Sequence, residues 1–211
     1  MMLLMEIEDV YGVTVPDEEL ATFVTVAGDA VVNPKRLDED VNHPCHNLAA
    51  CGVVFLFVVA LNAELRKRNF YQDKAEPNLI QYLDLVAFGT VCDVVKLRGV
   101  NRLLVKSGLQ QFHRQQNKGL YALCQCVKIT EPVQTYHLGY ILGPRVNACG
   151  RVGKSDLGMK LLSCSDDIQA LLLAEELDAL NLARREIEAD VMLQAIEQVE
   201  SCLQKYPFLM V

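Results

Sequence analysis

The sequence predicts an α/β fold that is mostly helical, and three features of its patterning lead there. A segment from about residue 47 to 68 is apolar nearly all round, as a buried helix requires. A second segment, 166–204, keeps Leu177, Leu180, Ile187 and Val191 at helical spacing, continued by Ile196, Val199 and Leu203. Strand character is confined to two short apolar runs, residues 29–32 and 207–211.

Taken in order, Asp29-Ala30-Val31-Val32 is a short strand stopped by Asn33-Pro34. Residues 35–44 are polar and read as a loop. The buried helix over 47–68 ends in Arg66-Lys67-Arg68, where cations suit the negative end of a helix dipole. Pro77-Asn78 opens another helix, with Leu79, Leu83 and Val86 on one face. Gly89 to Val95 reads as a break followed by a short apolar run carrying one acid, Asp93. Residues 103–112 and 120–127 are amphipathic helices. Gly143-Pro144-Arg145-Val146-Asn147-Ala148-Cys149-Gly150-Arg151 reads as a tight bend, because two glycines and a proline punctuate it. The segment 166–204 would extend roughly 58 Å at 1.5 Å per residue. It lacks clean heptads, so it is expected to bridge two domains. A strand that has only begun by Val211 reads as a domain cut short.

Composition excludes several classes. At 51% hydrophobic and 22% charged residues the chain is of globular type. Its longest apolar run, residues 53–61, is too short to span a bilayer, which takes about 20 residues. Met1 to Met5 lacks a basic flank and meets Glu6, so it is no signal peptide. Eight cysteines without a C-x-x-C pair point to reduced thiols and a cytoplasmic setting. The net charge of −7 hides a division: residues 1–40 carry −8, residues 41–160 carry +8 and residues 161–211 carry −7. A basic middle between acidic ends suits a polyanion.

Four clusters carry candidate chemistry. Arg145 and Arg151, with the amide of Asn147 between them, are planar forks suited to phosphate oxygens. Asp93 lies among Val91, Val94 and Val95, where an acid serves as a cap, an ion-pair partner or a metal ligand; position alone favours the cap. Ala148 to Ser155 nearly matches a phosphate-binding P-loop but lacks the first glycine and the strand before it. A solvated turn there, with Ser155 or Asp156 capping the next helix, is the better reading. His43, Cys45, His46 and Cys51 follow no common zinc spacing, and Asp38-Glu39-Asp40 reads as a solvated loop.

Several blocks, in order, resemble the RecJ exonucleases of the DHH phosphoesterase superfamily. They are Val31-Val32-Asn33-Pro34-Lys35-Arg36; Asn47-Leu48-Ala49-Ala50-Cys51-Gly52-Val53-Val54-Phe55; Tyr82 through Val95; Asn101 through Leu109; Leu142 through Gly153; and Ala174-Glu175-Glu176-Leu177-Asp178-Ala179-Leu180-Asn181. The resemblance implies a partial DHH phosphoesterase domain at residues 31–163, a connector helix at 164–205 and the start of a DHHA1 domain at 206–211. It implies stepwise 5′ to 3′ hydrolysis of single-stranded DNA in repair and recombination, assisted by Mn²⁺ or Mg²⁺, with single-strand-binding protein as a partner. Asp93 becomes a catalytic metal ligand, and Arg145, Asn147 and Arg151 become DNA-backbone contacts.

Departures from that pattern matter equally. The Asp-His-His triplet and the aspartates before it are absent, so the chain by itself is expected to be inactive. Lys96 replaces a usual proline, while Cys92 and Cys149 replace usual alanines. Residues 1–30, with Glu6-Ile7-Glu8-Asp9-Val10-Tyr11-Gly12-Val13, are similar to the latter part of an acyl carrier protein without its attachment serine, which suggests a hybrid or mis-started reading frame. Two other classes stand beside the nuclease reading. One is a non-catalytic nucleic-acid-binding fragment with steep salt dependence, and the other is a helical interaction scaffold.

Overall fold

A computed structural model describes residues 34–35, 42–151 and 156–202, and every described secondary-structure element is helical. The mostly helical expectation holds. Both strand runs, 29–32 and 207–211, and the N-terminal segment 1–30 lie outside the described residues. The chain divides into two compact units, one formed by the residues up to Asn117 with Ile129–Tyr140, the other by Lys118–Lys128 and the residues from Ile141 onward.

The first unit is built on α1 (Ala50–Lys67), α2 (Leu83–Cys92) and α3 (Gly99–Phe112). Val53, Phe55, Leu56 and Val59 of α1 join Leu83, Val86, Val100 and Leu104 in one apolar core. Burial of α1 is not complete, since Val54 and Leu61 face solvent. A short 3₁₀ turn, Leu79–Tyr82, leads into α2, and the Asn78 side chain accepts a hydrogen bond from the Ile80 amide at 3.1 Å. That is the start signal expected at Pro77-Asn78. Asn101 of α3 donates to the Asn47 and Lys96 carbonyls at 2.7 and 3.1 Å, fastening two connecting segments to the helix.

Gly89 does not break the chain as expected; α2 runs through it to Cys92. An added Cβ at Gly89 would lie 2.8 Å from Cys51 Sγ, so the small residue serves close packing of α1 on α2. The closest approach is between α2 and α3, where a Cβ on Gly108 would meet the Leu83 carbonyl oxygen at 2.1 Å and Ala87 Cβ at 2.4 Å.

A polar clamp holds the segment after α1. The buried Asn62 accepts a hydrogen bond from the Tyr71 hydroxyl at 2.6 Å and donates to Glu76 at 2.7 Å. Arg66 also pairs with Glu76, and Arg68 with Glu64, so two of the three basic residues are engaged at the end of the helix. Replacing Asn62 with alanine removes the two hydrogen bonds that this buried side chain makes, to the half-buried Tyr71 and the exposed Glu76. It is expected to lower stability by about 1–3 kcal/mol in urea denaturation.

The second unit comprises α4 (Lys118–Cys126), α5 (Gly143–Arg151), α6 (Leu157–Leu162) and α7 (Asp167–Cys202). At 36 residues, α7 is about 54 Å long. Asp166 caps it, accepting from the Gln169 amide at 2.7 Å. Its packed seam is Ala170, Leu173, Ala174, Leu177 and Asn181, against which α4, α5 and α6 lie. The stripe expected from the sequence continues past this seam without cover: Ile187, Val191 and Ile196 are exposed. Helical spacing identified the helix, but burial follows the neighbours, which flank only its first half.

Candidate functional site

Asp93 is the residue that ends α2, and it is exposed. Its amide donates to the Gly89 carbonyl at 2.9 Å, and the Val94 amide to the Val91 carbonyl at 3.1 Å. A turn at the C-terminal end of the helix delivers this acid, whose side chain makes no N-terminal cap. A carboxylate beside the last carbonyls of a helix meets the negative end of the dipole, which disfavours it. Val94 continues with φ +56° and is 88% exposed. A β-branched residue rarely takes that left-handed conformation, which costs roughly 1–2 kcal/mol. Two unfavourable choices thus sit side by side at the helix end. Val94→Gly is expected to raise stability by about 1 kcal/mol in thermal denaturation.

The thiols near Asp93 do not supplement it as ligands. Burial pushes the Cys92 thiol up to about 12, with Asp93 and Cys51 adding to the shift, and Cys92 donates to the Leu138 carbonyl at 3.6 Å. Burial also raises Cys51, against the lowering effect of its hydrogen bond with Thr90. Burial thus favours the protonated form of both, whereas metal ligation needs a thiolate. Among the described residues no group of three or more His, Cys, Asp or Glu side chains could hold a metal ion. Asp93 offers one hard oxygen ligand of the kind Mn²⁺ and Mg²⁺ prefer, but the described residues do not complete a coordination set around it.

In the second unit, the segment 143–151 is α5, not a tight bend. Pro144 lacks an amide and its ring would clash with the carbonyl four residues earlier. The chain accommodates this by widening the preceding turn into π-helix, His137–Leu142, a local adjustment often found at functional sites. Ala148 and Cys149 are buried and hold α5 in place. Arg145 Nη1 donates to the Ile141 carbonyl in the widened turn at 2.6 Å, and its Nε donates to Asp178 of α7 at 2.6 Å. Arg145 is thereby pinned, with two of a guanidinium's five N–H donors engaged. Asn147 is exposed, and position 151 follows it at i+4 along the helix, the spacing at which residues share a face. Arg145 takes a different face. The near P-loop at Ala148 to Ser155 begins inside this helix, and residues 152–155 lie outside the described part. Asp156 precedes α6 without a side-chain cap bond and instead pairs with Lys160 at 2.5 Å.

Three features escaped the sequence reading. Asp84 is buried in the first turn of α2, and burial raises its carboxyl to about 6, against hydrogen bonds that lower it. An acid within the run Leu83 to Val86 was the available signal. His137 is buried, its Nδ1 accepting from the Gln134 amide at 2.9 Å, which leaves Nε2 to donate to Glu131 at 2.9 Å. Asp178 is the third, visible only once α5 and α7 are seen to pack.

No protein-family model matches the chain. It is 40% identical over 204 residues to the single-stranded-DNA-specific exonuclease RecJ of Dickeya dadantii strain 3937, covering 93% of this chain and 35% of that protein. To RecJ of Escherichia coli K12 it is 38% identical over 192 residues, covering 89% of this chain and 33% of that protein. The crystal structure of RecJ in complex with Mn²⁺ from Thermus thermophilus superposes with a TM-score of 0.60 at 32% identity, covering 69% of this chain and 21% of that one. The chain is a RecJ relative. It spans about a third of the length of these curated RecJ proteins. RecJ from T. thermophilus has also been solved with Mg²⁺. Among the described residues no helix is long and apolar enough to cross a membrane.

Proposed function

We propose that this chain supplies part of a RecJ-type exonuclease that hydrolyses phosphodiester bonds of single-stranded DNA from the 5′ end in DNA repair and recombination, in a cytoplasmic setting. The observation that carries the reading is the 40% identity to a RecJ exonuclease across 93% of the chain. Asp93 contributes one carboxylate ligand to a Mn²⁺ or Mg²⁺ site, which would relieve the repulsion at the end of α2. Asn147 and Arg151 contact backbone phosphates from one face of α5. Arg145 holds α5 against Asp178 and offers its remaining N–H groups to the same backbone. The widened π-turn that presents α5 supports this assignment. The domain reading follows the family: DHH-type residues 31–163, a connector over 164–205 and a DHHA1 start at 206–211, with α/β character carried by the strand runs at 29–32 and 207–211. Single-strand-binding protein is the proposed partner.

One metal carboxylate does not hold two metal ions, so the chain alone binds single strands without trimming them. Incubation of the purified 211-residue chain with a 5′-labelled single strand and Mn²⁺ is expected to give a retarded complex and no shortened product. Metal-dependent shortening overturns the incompleteness of the site, and absence of any complex at low salt overturns the nucleic-acid reading.

A second reading, a helical interaction scaffold, is favoured by one observation: Leu182, Ile187, Val191, Met192 and Leu193 of α7 are exposed. A concentration-dependent dimer in sedimentation would support it, and a monomer at all concentrations would dismiss it.

A further inference from the structure

Two tyrosine rings stand exposed beside each other where the chain enters the π-turn. Tyr136 is 59% exposed and Tyr140 76% exposed. Their ring centroids are 5.4 Å apart with an interplanar angle of 26°, a stacked arrangement. Tyrosine is intermediate in burial, with a large apolar ring that folded proteins commonly cover at least in part. Here both rings face water, and the fold holds them there. Leu138, between them in sequence, is fully buried, and the buried His137 is fastened by Glu131 and by the Gln134 amide. Tyr136 also meets the His137 ring edge-on, with centroids 5.8 Å apart at 68°, so Tyr140 is the more open of the two rings.

Phosphate-gripping side chains cannot by themselves distinguish a single strand from a duplex, because both present the same backbone. Base faces can make that distinction, since pairing and stacking hide them in a duplex. Every base has a π-face, so an aromatic platform reads unpaired strands without sequence preference.

We infer that Tyr136 and Tyr140 form a stacking platform for an unpaired nucleobase of single-stranded DNA. The inference rests on the nucleic-acid reading above and adds to it the group that selects unpaired bases. Glu131 and His137 set the backbone that carries the rings and do not touch the base.

Fluorescence anisotropy with the 211-residue chain tests this, using labelled oligodeoxythymidylate and an abasic oligodeoxynucleotide of equal length. The double variant Tyr136→Ala with Tyr140→Ala is expected to bind the thymidylate strand about five- to a hundredfold more weakly, with binding of the abasic strand unchanged. Tyr136→Phe with Tyr140→Phe keeps the π-faces and is expected to bind as the parent does. Tyr140→Ala alone, at the more exposed ring, keeps the test readable should the double alanine variant lose its helical circular dichroism. Equal weakening on both strands, or no weakening on the thymidylate strand, overturns the platform while leaving the nucleic-acid reading in place. If the parent chain binds neither strand, both fall together.

Discussion

Gly108→Ala is expected to cost about 3 kcal/mol, the upper end for overpacking and a large share of a domain's stability. The methyl group would sit 2.1 Å from the Leu83 carbonyl oxygen and 2.4 Å from Ala87 Cβ. The first of these atoms is backbone at the start of α2, so α2 and α3 must separate to admit it. Gly119→Ala should act alike in the second unit, where the Leu161 carbonyl oxygen lies 2.0 Å from the added carbon. Gly150→Ala provides the contrast. It lies within α5 with nothing within 4 Å of the added carbon. There alanine should stabilise by about 0.5–1 kcal/mol, since glycine is a poor helix former. Urea midpoints of the three variants check this, and a Gly108→Ala midpoint equal to the parent's would refute the close crossing of α2 and α3.

Asp84→Asn is expected to stabilise the protein above pH 6 and to change little near pH 4. Burial raises the Asp84 carboxyl from 3.8 to about 6. Between those values the folded chain keeps a proton that the unfolded chain has lost, so stability falls as pH rises through the interval. Below it both states are protonated; above it both are ionised and the buried charge costs roughly 2–3 kcal/mol. Asparagine fills the same space without the charge. The difference between variant and parent should grow from about pH 4 to 6 and then level off. A difference independent of pH would mean that Asp84 is not buried as an acid.

The helices were legible where apolar residues recur at helical spacing and turn residues flank them, as at Asn78 before α2 and Asp166 before α7. The segment 143–151 was not, because Gly143 and Pro144 are turn residues by every local criterion. Buried Ala148 and Cys149, and the bridge from Arg145 to Asp178, supply tertiary contacts that outweigh local propensity. Gly89 misled for the same reason, since the thiol of Cys51 occupies the space a side chain would need. Of the candidate site, Asp93 and the exposed Asn147 were legible as residues; their settings were not. That Asp93 ends a helix beside a left-handed valine, and that 143–151 is a helix whose Arg145 is held by Asp178, are consequences of packing. No spacing rule encodes them.

The central claim is that Asn147 and Arg151 of α5 grip the phosphates of a single strand. Its most direct test is the salt dependence of binding to an oligodeoxynucleotide, measured for the parent, Arg151→Ala and Asn147→Ala. Each phosphate contact by a cation adds about 0.7 to the slope of log affinity against log salt for single strands. Arg151→Ala is therefore expected to lower the slope by about that amount and to weaken binding roughly tenfold at low salt, whereas Asn147→Ala weakens binding without changing the slope. Identical slopes for parent and Arg151→Ala would contradict the claim.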